Sequence, residues 1–280
     1  MTIVAGFQVQ NGILICADSQ YSDGVSKVQR PKVFSHCVGM EADRCSLVFA
    51  LSGQENNAKT AILECNAALE DCEEYSLRSV VDLLQIAVQS VHQRNIDTRP
   101  ESEREAAEFA LVIGASIPHG PHSGLSLFRS AGPTVGPMSE DYQCAGAGQY
   151  LGDYLMRNMF LSLAKPRLLN DALVISIQGL ASLKAYDANC GGDSQFLFLS
   201  SDGVISPIAH YNIEGVLPYV ERYTKLSQEI MCDAMNPEMD PVPFEWRFNN
   251  FISDIRLLRR EWQASDSYLK YTETLAQLNG

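Results

Sequence analysis

The chain has 280 residues, of which 46% are hydrophobic and 20% charged, and its formal net charge is −13. This composition predicts a globular protein with a sizeable core, and its acidity argues against nucleic-acid or anionic-membrane partners, which require basic patches. No segment is long and apolar enough to span a membrane. The opening residues do not form a signal peptide, so the eight cysteines are expected to be reduced thiols in a cytoplasmic protein.

The amino-terminal part of the chain predicts strands. Residues 2–10 alternate, with Ile3, Ala5, Phe7 and Val9 on one face, and residues 13–17 form an apolar run. Asn11-Gly12 between them is a strong signal for a hairpin turn, because both residues tolerate positive φ. Two more strands are predicted at 33–34 and 46–51. The second of these ends at Ser52-Gly53.

The rest of the chain alternates helical and strand-like segments. Apolar spacing predicts a helix over 57–69 and a second helix capped by Ser76, while the polar, Pro-interrupted run 95–108 predicts an exposed loop. The remaining predicted elements, in chain order, are strands at 109–117 and 125–128 joined by a turn at 118–122, helices at 150–163 and 170–186, strands at 195–200 and 204–205, and helices near 216–231 and 248–262 with a Pro-rich break at 237–243. This order favours an α+β fold in which two antiparallel sheets lie between two helical layers, a four-layer αββα sandwich.

Thr2 is the leading candidate for a nucleophile. It follows Met1 and opens the first predicted strand. If Met1 is removed, one residue supplies both a hydroxyl and an α-amine whose pKa of roughly 7.7–8.0 suits a general base. A threonine in second place also arises by chance, so the hypothesis depends on other residues.

Three later residues could assist Thr2. Asp18 ends the second predicted strand, and the hairpin register brings that end back to the start of the first strand. Lys32 precedes another strand, and an ammonium beside a hydroxyl lowers the pKa of the hydroxyl, with a carboxylate orienting the lysine. Gly53 could present its backbone N–H to a developing oxyanion. Each residue alone also has an ordinary structural explanation.

Other motifs are weaker. Gly146-Ala147-Gly148 only approximates a dinucleotide fingerprint, because the third glycine is displaced and the surrounding pattern is antiparallel. His119 and His122 flank a turn without a suitably spaced acidic or cysteine partner, and the cysteines show no C-x-x-C spacing. We therefore expect no metal and no cofactor. The sequence contains no G-x-S-x-G motif, which argues against a Ser-His-Asp hydrolase.

An ordered set of motifs resembles the proteasome β-subunit family of N-terminal-nucleophile (Ntn) hydrolases over roughly residues 2–210. In chain order the matching segments are Thr2-Ile3-Val4-Ala5-Gly6, Ala17-Asp18, Pro31-Lys32-Val33-Phe34, Ser52-Gly53-Gln54, Gly146-Ala147-Gly148 and Asp187-Ala188-Asn189-Cys190-Gly191-Gly192. The resemblance implies an Ntn-hydrolase core at 1–210, with 211–280 as a helical extension packed on it. The catalytic residues that it implies are Thr2, Asp18, Lys32, Gly53, Asp187 and Cys190.

The resemblance implies a threonine-type endopeptidase. The substrate of such an enzyme would be a peptide or an unfolded protein. The resemblance also implies assembly into a homo-oligomeric ring, and it leaves open whether an unfoldase is a partner. Two positions depart from the family, since Ala147 and Cys190 stand where the family has serines. A side chain without a hydroxyl, or with a thiol in its place, is a poor substitute in hydrogen bonding. Two alternatives therefore remain, a catalytically silent structural subunit and an Ntn amidohydrolase that acts on small amides.

Overall fold

The computed structural model describes residues 3–22, 26–39, 44–117, 124–137 and 140–279. The predicted nucleophile Thr2 and the predicted turn at 118–122 lie outside these residues. The chain separates into two compact units, Met1–His210 and Tyr211–Gly280. The first unit contains every sheet strand that the structure describes, and the second consists of helices.

The first unit combines strands and helices in the alternation that the sequence indicates. Its strands are β1 (Val4–Val9), β2 (Gly12–Asp18), β3 (Gln20–Ser22), β4 (Lys27–Gln29), β5 (Val33–Val38), β6 (Cys45–Gly53), β7 (Phe109–Ile117), β8 (Gly124–Ala131), β9 (Thr134–Pro137), β10 (Tyr142–Ala145), β11 (Ser194–Ser200) and β12 (Ile205–Ile208). Its helices are α1 (Glu55–Glu70), α2 (Leu77–Asn95), α3 (Glu101–Ala107), α4 (Gln149–Gly152), α5 (Asn158–Ser162) and α6 (Leu169–Tyr186), with a π-helical turn at Asp153–Arg157 between α4 and α5.

Two five-stranded antiparallel sheets form the centre of this unit. The first has the order β10-β1-β2-β11-β12 and the second the order β5-β6-β7-β8-β9, while β3 and β4 form a separate ribbon. One apolar core joins Ile13 and Ile15 of the first sheet to Val48 and Val112 of the second. A second core lies between the second sheet and helices α1 and α2, and α6 contacts β1 and β2. The fold is thus mixed α and β, as predicted, and the four-layer Ntn-hydrolase assignment remains a prediction.

The hairpin between β1 and β2 forms, but the predicted turn was wrong by one residue. Val9 pairs with Gly12, so the two turn residues are Gln10 and Asn11. Gly12 does not adopt positive φ. It is a glycine because β11 passes close by: a Cβ at Gly12 would lie 2.4 Å from the Leu199 carbonyl oxygen. The requirement at this position is space and not backbone freedom.

Proline positions explain two further corrections. The predicted loop 95–108 contains the short helix α3, which starts directly after Pro100. The Pro-rich segment 237–243 does not separate two elements throughout, because helix α9 (Pro241–Gln263) begins inside it. A proline in the first helical turn loses no hydrogen bond, since the first N–H groups of a helix have no intrahelical partner. Strands β3, β4, β9 and β10 were not predicted.

The second unit is built from helices, with α7 (His210–Glu214) at its boundary, followed by α8 (Leu217–Ala234), α9 and α10 (Asp266–Asn279). Helix α9 contacts both α8 and α10. The Trp262 ring lies 6.4 Å from Tyr219, 5.2 Å from Tyr268 and 5.9 Å from Tyr271, measured between centroids. Trp262 therefore joins the three helices through aromatic contacts. Across the described parts of the chain, no helix has both the length and the apolar character that crossing a bilayer requires.

Candidate functional site

Asp18 lies at the centre of the candidate site. Its side chain is fully buried at the end of β2. Oδ1 accepts hydrogen bonds from the Ile3 N–H at 3.1 Å and from Lys32 Nζ at 2.9 Å. Oδ2 accepts from the Gln20 N–H and the Gly191 N–H, both at 3.2 Å. A buried carboxylate needs such donors, and these four fix its orientation from four separate points of the chain.

Lys32 is buried against the same carboxylate. Its ammonium donates to Asp18 Oδ1 and to the Gln20 carbonyl, and it lies 4.7 Å from the centroid of the Tyr21 ring. Its backbone N–H donates to Gln195 Oε1 at 2.8 Å. The β3–β4 ribbon and β11 thus supply the contacts that hold this lysine, and none of these contacts had a recognised sequence signal.

The charge state of Lys32 is balanced between two opposing effects. Burial lowers the pKa of its ammonium from the ordinary value of 10.5, while the charge of Asp18 and its hydrogen bond raise it, and burial prevails. A lysine with a lowered pKa is neutral in a larger fraction of molecules near neutral pH. It can then accept a proton as well as donate one, which is the property that a general acid or base requires.

The beginning of the chain is tied directly to this pair. Ile3, the residue that follows Thr2, is fully buried and donates its N–H to Asp18. The Gly146–Gly148 turn is adjacent, since a Cβ at Gly148 would lie 3.5 Å from the Ile3 Cβ. The register Val4↔Ala17 places the end of β2 beside the start of β1, as the hairpin predicted. Thr2 itself lies outside the described residues.

Gly53 ends β6 at the edge of a cleft of about 820 Å³ that Tyr21, Arg30 and Ala147 also line. Its φ is +83°, and a Cβ there would lie 2.4 Å from the Glu108 carbonyl oxygen. Both observations require glycine at this position. The cleft lies next to the predicted oxyanion glycine, and Tyr21 connects it to the Lys32 ammonium.

Asp187 and Cys190 flank the loop that reaches Asp18. Asp187 caps the end of α6, and its Oδ1 accepts a hydrogen bond at 2.9 Å from the Asn189 N–H. Cys190 is buried, and a Cβ at Gly148 would lie 3.7 Å from its sulfur. Burial, together with the charges of Asp18 and Asp187, raises the pKa of the Cys190 thiol to about 12. The thiol is therefore protonated at neutral pH and is neither a strong nucleophile nor a strong acceptor.

Sequence reasoning missed Lys184 and the backbone of Gly191. Lys184 Nζ donates to the Gly192 carbonyl at 2.6 Å and to Ser194 Oγ at 2.8 Å. It lies on α6, where a lysine in the last turn normally has its charge in solvent. Backbone donors carry no residue signal, so the Gly191 contact to Asp18 was equally invisible.

The described residues form no group of three or more His, Cys, Asp or Glu side chains that could hold a metal ion. His119 and His122 lie outside the described residues. All eight cysteines are free thiols.

Three solved structures share this fold. An Anbu structure described as an ancestral β-subunit, from Yersinia bercovieri, has a TM-score of 0.64 at 16% identity and covers 85% of this chain and 98% of its own. The helical assembly of the Anbu complex from Pseudomonas aeruginosa gives a TM-score of 0.66 at 13% identity over 86% and 99%. An Anbu mutant from Hyphomicrobium sp. strain MC1 gives 0.65 at 13% identity over 86% and 100%. No family model and no curated protein sequence matches the chain.

These comparisons correct the predicted resemblance. The sequence motifs pointed to the proteasome β-subunit family, but the structural neighbours are Anbu proteins, and the absence of a matching family model gives that assignment no support. At 13–16% identity the likeness establishes a shared fold and nothing finer.

Proposed function

We propose that this protein is an amide-bond hydrolase of the N-terminal-nucleophile type that cleaves peptides, with Thr2 as the nucleophile. The observation that carries the proposal is the Asp18 carboxylate, which binds the Ile3 N–H and the Lys32 ammonium through the same oxygen. A hydroxyl nucleophile is activated by an adjacent general base, and the buried Lys32, held by Asp18 close to the residue that follows Thr2, would supply one. The first unit is proposed as the hydrolase core, with a four-layer αββα architecture, and the second as its extension.

The proposed reaction is acyl transfer. Once Met1 has been removed, Thr2 Oγ attacks the peptide carbonyl while its proton passes to the Thr2 α-amine or to neutral Lys32. The C–N bond then breaks, the leaving amine takes up a proton, and an ester to Thr2 remains. The Gly53 N–H is the proposed oxyanion donor. Water hydrolyses the ester, which releases the acid and restores the hydroxyl. Asp18 orients Lys32 throughout and stabilises its charged form.

The comparisons favour further copies of this chain as its binding partners. One of the solved structures with this fold is described as a helical assembly of its own complex. We extend self-association to this chain, with an open helical arrangement and a closed ring as the two geometries that electron microscopy distinguishes. The proposal also keeps the chain in the cytoplasm, where its free thiols would stay reduced.

A catalytically silent subunit is the second candidate. Ala147 lines the cleft without a hydroxyl, and Cys190 offers a protonated thiol. Both positions are weak at hydrogen bonding, so a proton relay that needs them would be impaired. Restoring the hydroxyls in Ala147→Ser/Cys190→Ser tests this candidate, because a gain of activity over an inactive parent would support it.

The deciding experiment is covalent labelling with a peptide epoxyketone, which requires a hydroxyl and an amine on the same residue. We expect one adduct per chain at Thr2, found by peptide mass spectrometry, and none in Thr2→Ala. Thr60→Ala is the matched control, since its hydroxyl bonds the Asn56 carbonyl within α1. An unlabelled protein whose chain starts at Thr2 would contradict the proposal. Parallel assays on peptides and on small amides separate peptidase from amidohydrolase activity.

A further inference from the structure

A second lysine, Lys184, binds the loop that contacts Asp18. Lys184 lies in the last turn of α6 and is partly buried. Its ammonium donates to two acceptors in the segment 187–194, the Gly192 carbonyl at 2.6 Å and Ser194 Oγ at 2.8 Å. Gly192 has a φ of +68°, so the chain turns sharply where the ammonium binds it.

This segment is in direct contact with Asp18. Gly191 donates its N–H to Asp18 Oδ2, and its carbonyl accepts from the Ser19 N–H at 3.2 Å and the Gln20 N–H at 3.1 Å. Ser194, one of the two acceptors of Lys184, pairs with Asp18 in the β2–β11 register. A shift of the segment would therefore move the Gly191 donor away from the carboxylate.

We propose that Lys184 is a positioning residue, whose ammonium fixes the segment 187–194 so that the Gly191 N–H stays bonded to Asp18 and the Asp18–Lys32 pair keeps its geometry. The geometric claim concerns the described residues alone, and its bearing on catalysis rests on the proposed function. Lys184 acts through Asp18 and is assigned no contact with substrate.

The charges around both lysines agree with this role. Burial lowers the pKa of Lys184, and the Asp18 and Asp193 carboxylates oppose this effect. The Cys16 and Cys190 thiols also face Lys184, but burial raises the pKa of both, so they carry a charge only at high pH. The corresponding neighbours of Lys32 are Asp18, Cys190 and Glu55, with the Tyr21 ring in contact. Asp18 and Cys190 belong to both sets. The two ammonium groups thus act on one carboxylate, and loss of one changes the field that the other experiences.

The test measures the Lys32 pKa directly, by NMR titration of protein labelled with ¹³Cε-lysine, in Lys184→Met and Lys184→Arg. In Lys184→Met, Asp18 loses a backbone donor, water gains access and a neighbouring positive charge disappears, and each of these effects raises the Lys32 pKa. We expect a rise of about one unit, a tenfold change in the ratio of neutral to charged Lys32. Lys184→Arg keeps a cation with several donors, so we expect it to restore most of the original value.

Lys27→Met is the matched control. Lys27 Nζ donates to the Ala188 carbonyl at 2.8 Å in the same segment, but this contact is exposed. We expect the control to leave the Lys32 pKa unchanged. If Lys184→Met does not fold, Ser194→Ala removes one of the two acceptors and is expected to give a smaller rise. An unchanged Lys32 pKa in folded Lys184→Met overturns the inference. If Lys184→Met does not fold, an unchanged Lys32 pKa in Ser194→Ala overturns it.

The inference and the proposed function fail in different ways. The titration reports on Lys32 in the full chain whether or not Thr2 reacts. A shifted Lys32 with no epoxyketone adduct in the unmodified protein would contradict the hydrolase and leave Lys184 as a positioning residue. Normal labelling of the unmodified protein, with a Lys32 pKa that does not change in Lys184→Met, would support the hydrolase and contradict the role of Lys184. If the hydrolase proposal and the Lys184 inference both hold, the pH at which epoxyketone labelling is half-maximal is higher in Lys184→Met than in the unmodified protein, because the Lys32 pKa is higher.

Discussion

Lys32 Nζ lies 2.9 Å from Asp18 Oδ1, and both side chains are fully buried. Removing two charges from water is costly, and their attraction compensates only when the remaining donors and acceptors are also satisfied. Here the Ile3, Gln20 and Gly191 N–H groups satisfy the carboxylate. The pair is therefore a demanding arrangement that depends on the surrounding backbone.

Substituting Asp18 by Asn is expected to lower the free energy of unfolding by about 3–5 kcal/mol, because it leaves the Lys32 ammonium buried without its counter-charge. Urea denaturation followed by circular dichroism measures the loss. Glu64→Gln is the control, since its partner Arg94 is half exposed and such ion pairs contribute little. Recovery of stability in Asp18→Asn/Lys32→Met would confirm that the unpaired charge is the cause, and equal losses in Asp18→Asn and the control Glu64→Gln would contradict it.

The buried ammonium of Lys32 also predicts a pH dependence of stability. Its pKa in the folded protein lies below the ordinary 10.5, so between these two values the unfolded chain binds more protons than the folded one. The free energy of unfolding therefore rises with pH across this window. Below the folded pKa of Lys32, the protein bears the whole destabilisation that comes from burying the charged ammonium.

The measurement is the difference in unfolding free energy between the unmodified protein and Lys32→Met from pH 7 to 11. The difference is needed because buried thiols such as Cys16, whose pKa burial raises, destabilise the fold at high pH. We expect the stability of the unmodified protein to increase relative to Lys32→Met as pH rises. A relative decrease would show that the Lys32 pKa is raised and not lowered.

Gly53→Ala is expected to destabilise the protein more than a change in backbone conformation alone explains. A non-glycine residue at φ +83° costs about 1–2 kcal/mol, and the added Cβ would also meet the Glu108 carbonyl oxygen at 2.4 Å. Gly132→Ala is the matched control, because Gly132 has φ +55° and a methyl group added there would meet nothing within 4 Å. Equal losses in the two variants, measured by thermal unfolding, would exclude the steric contribution.

Thiol alkylation tests the assignment of Cys190 as an unreactive residue. Exposed Cys37 and Cys232 are expected to react with iodoacetamide in the folded protein at pH 7.5, because the reagent can reach both thiols. Cys190 is buried with a pKa of about 12, so it should stay unmodified until the protein is unfolded in guanidinium. Mass spectrometry locates the adducts. Early modification of Cys190 would contradict both its burial and its protonated state.

The sequence predicted the parts of the site that depend on strand pairing. The hairpin register placed Asp18 near Ile3, and the end of a predicted strand made Gly53 a candidate. It could not predict the Gly191 donor, because a backbone N–H looks the same at every position. Lys184 was missed for a related reason: its partners are a carbonyl and a serine reached only after the chain reverses at Gly192.

The errors in the fold have equally local causes. Asn11-Gly12 was interpreted as a turn from its freedom of φ, but close approach of β11 explains the glycine. The short strands β3 and β4 have three residues each, too few to show a periodic pattern. Their ribbon nevertheless supplies the Gln20 carbonyl that binds Lys32. Short irregular segments contribute to the site through contacts made only in the folded chain.

Gly191 lies 173 residues after Asp18 along the chain, and Gln195, which binds the Lys32 backbone, lies 163 residues after Lys32. For most of its synthesis, a nascent polypeptide therefore lacks the donor and the acceptor that bind Asp18 and Lys32. Contacts between such distant residues form late, since closing long loops is entropically costly. The buried Asp18–Lys32 pair therefore acquires its complete set of partners only after residues 191–195 have been synthesised and have folded back onto it.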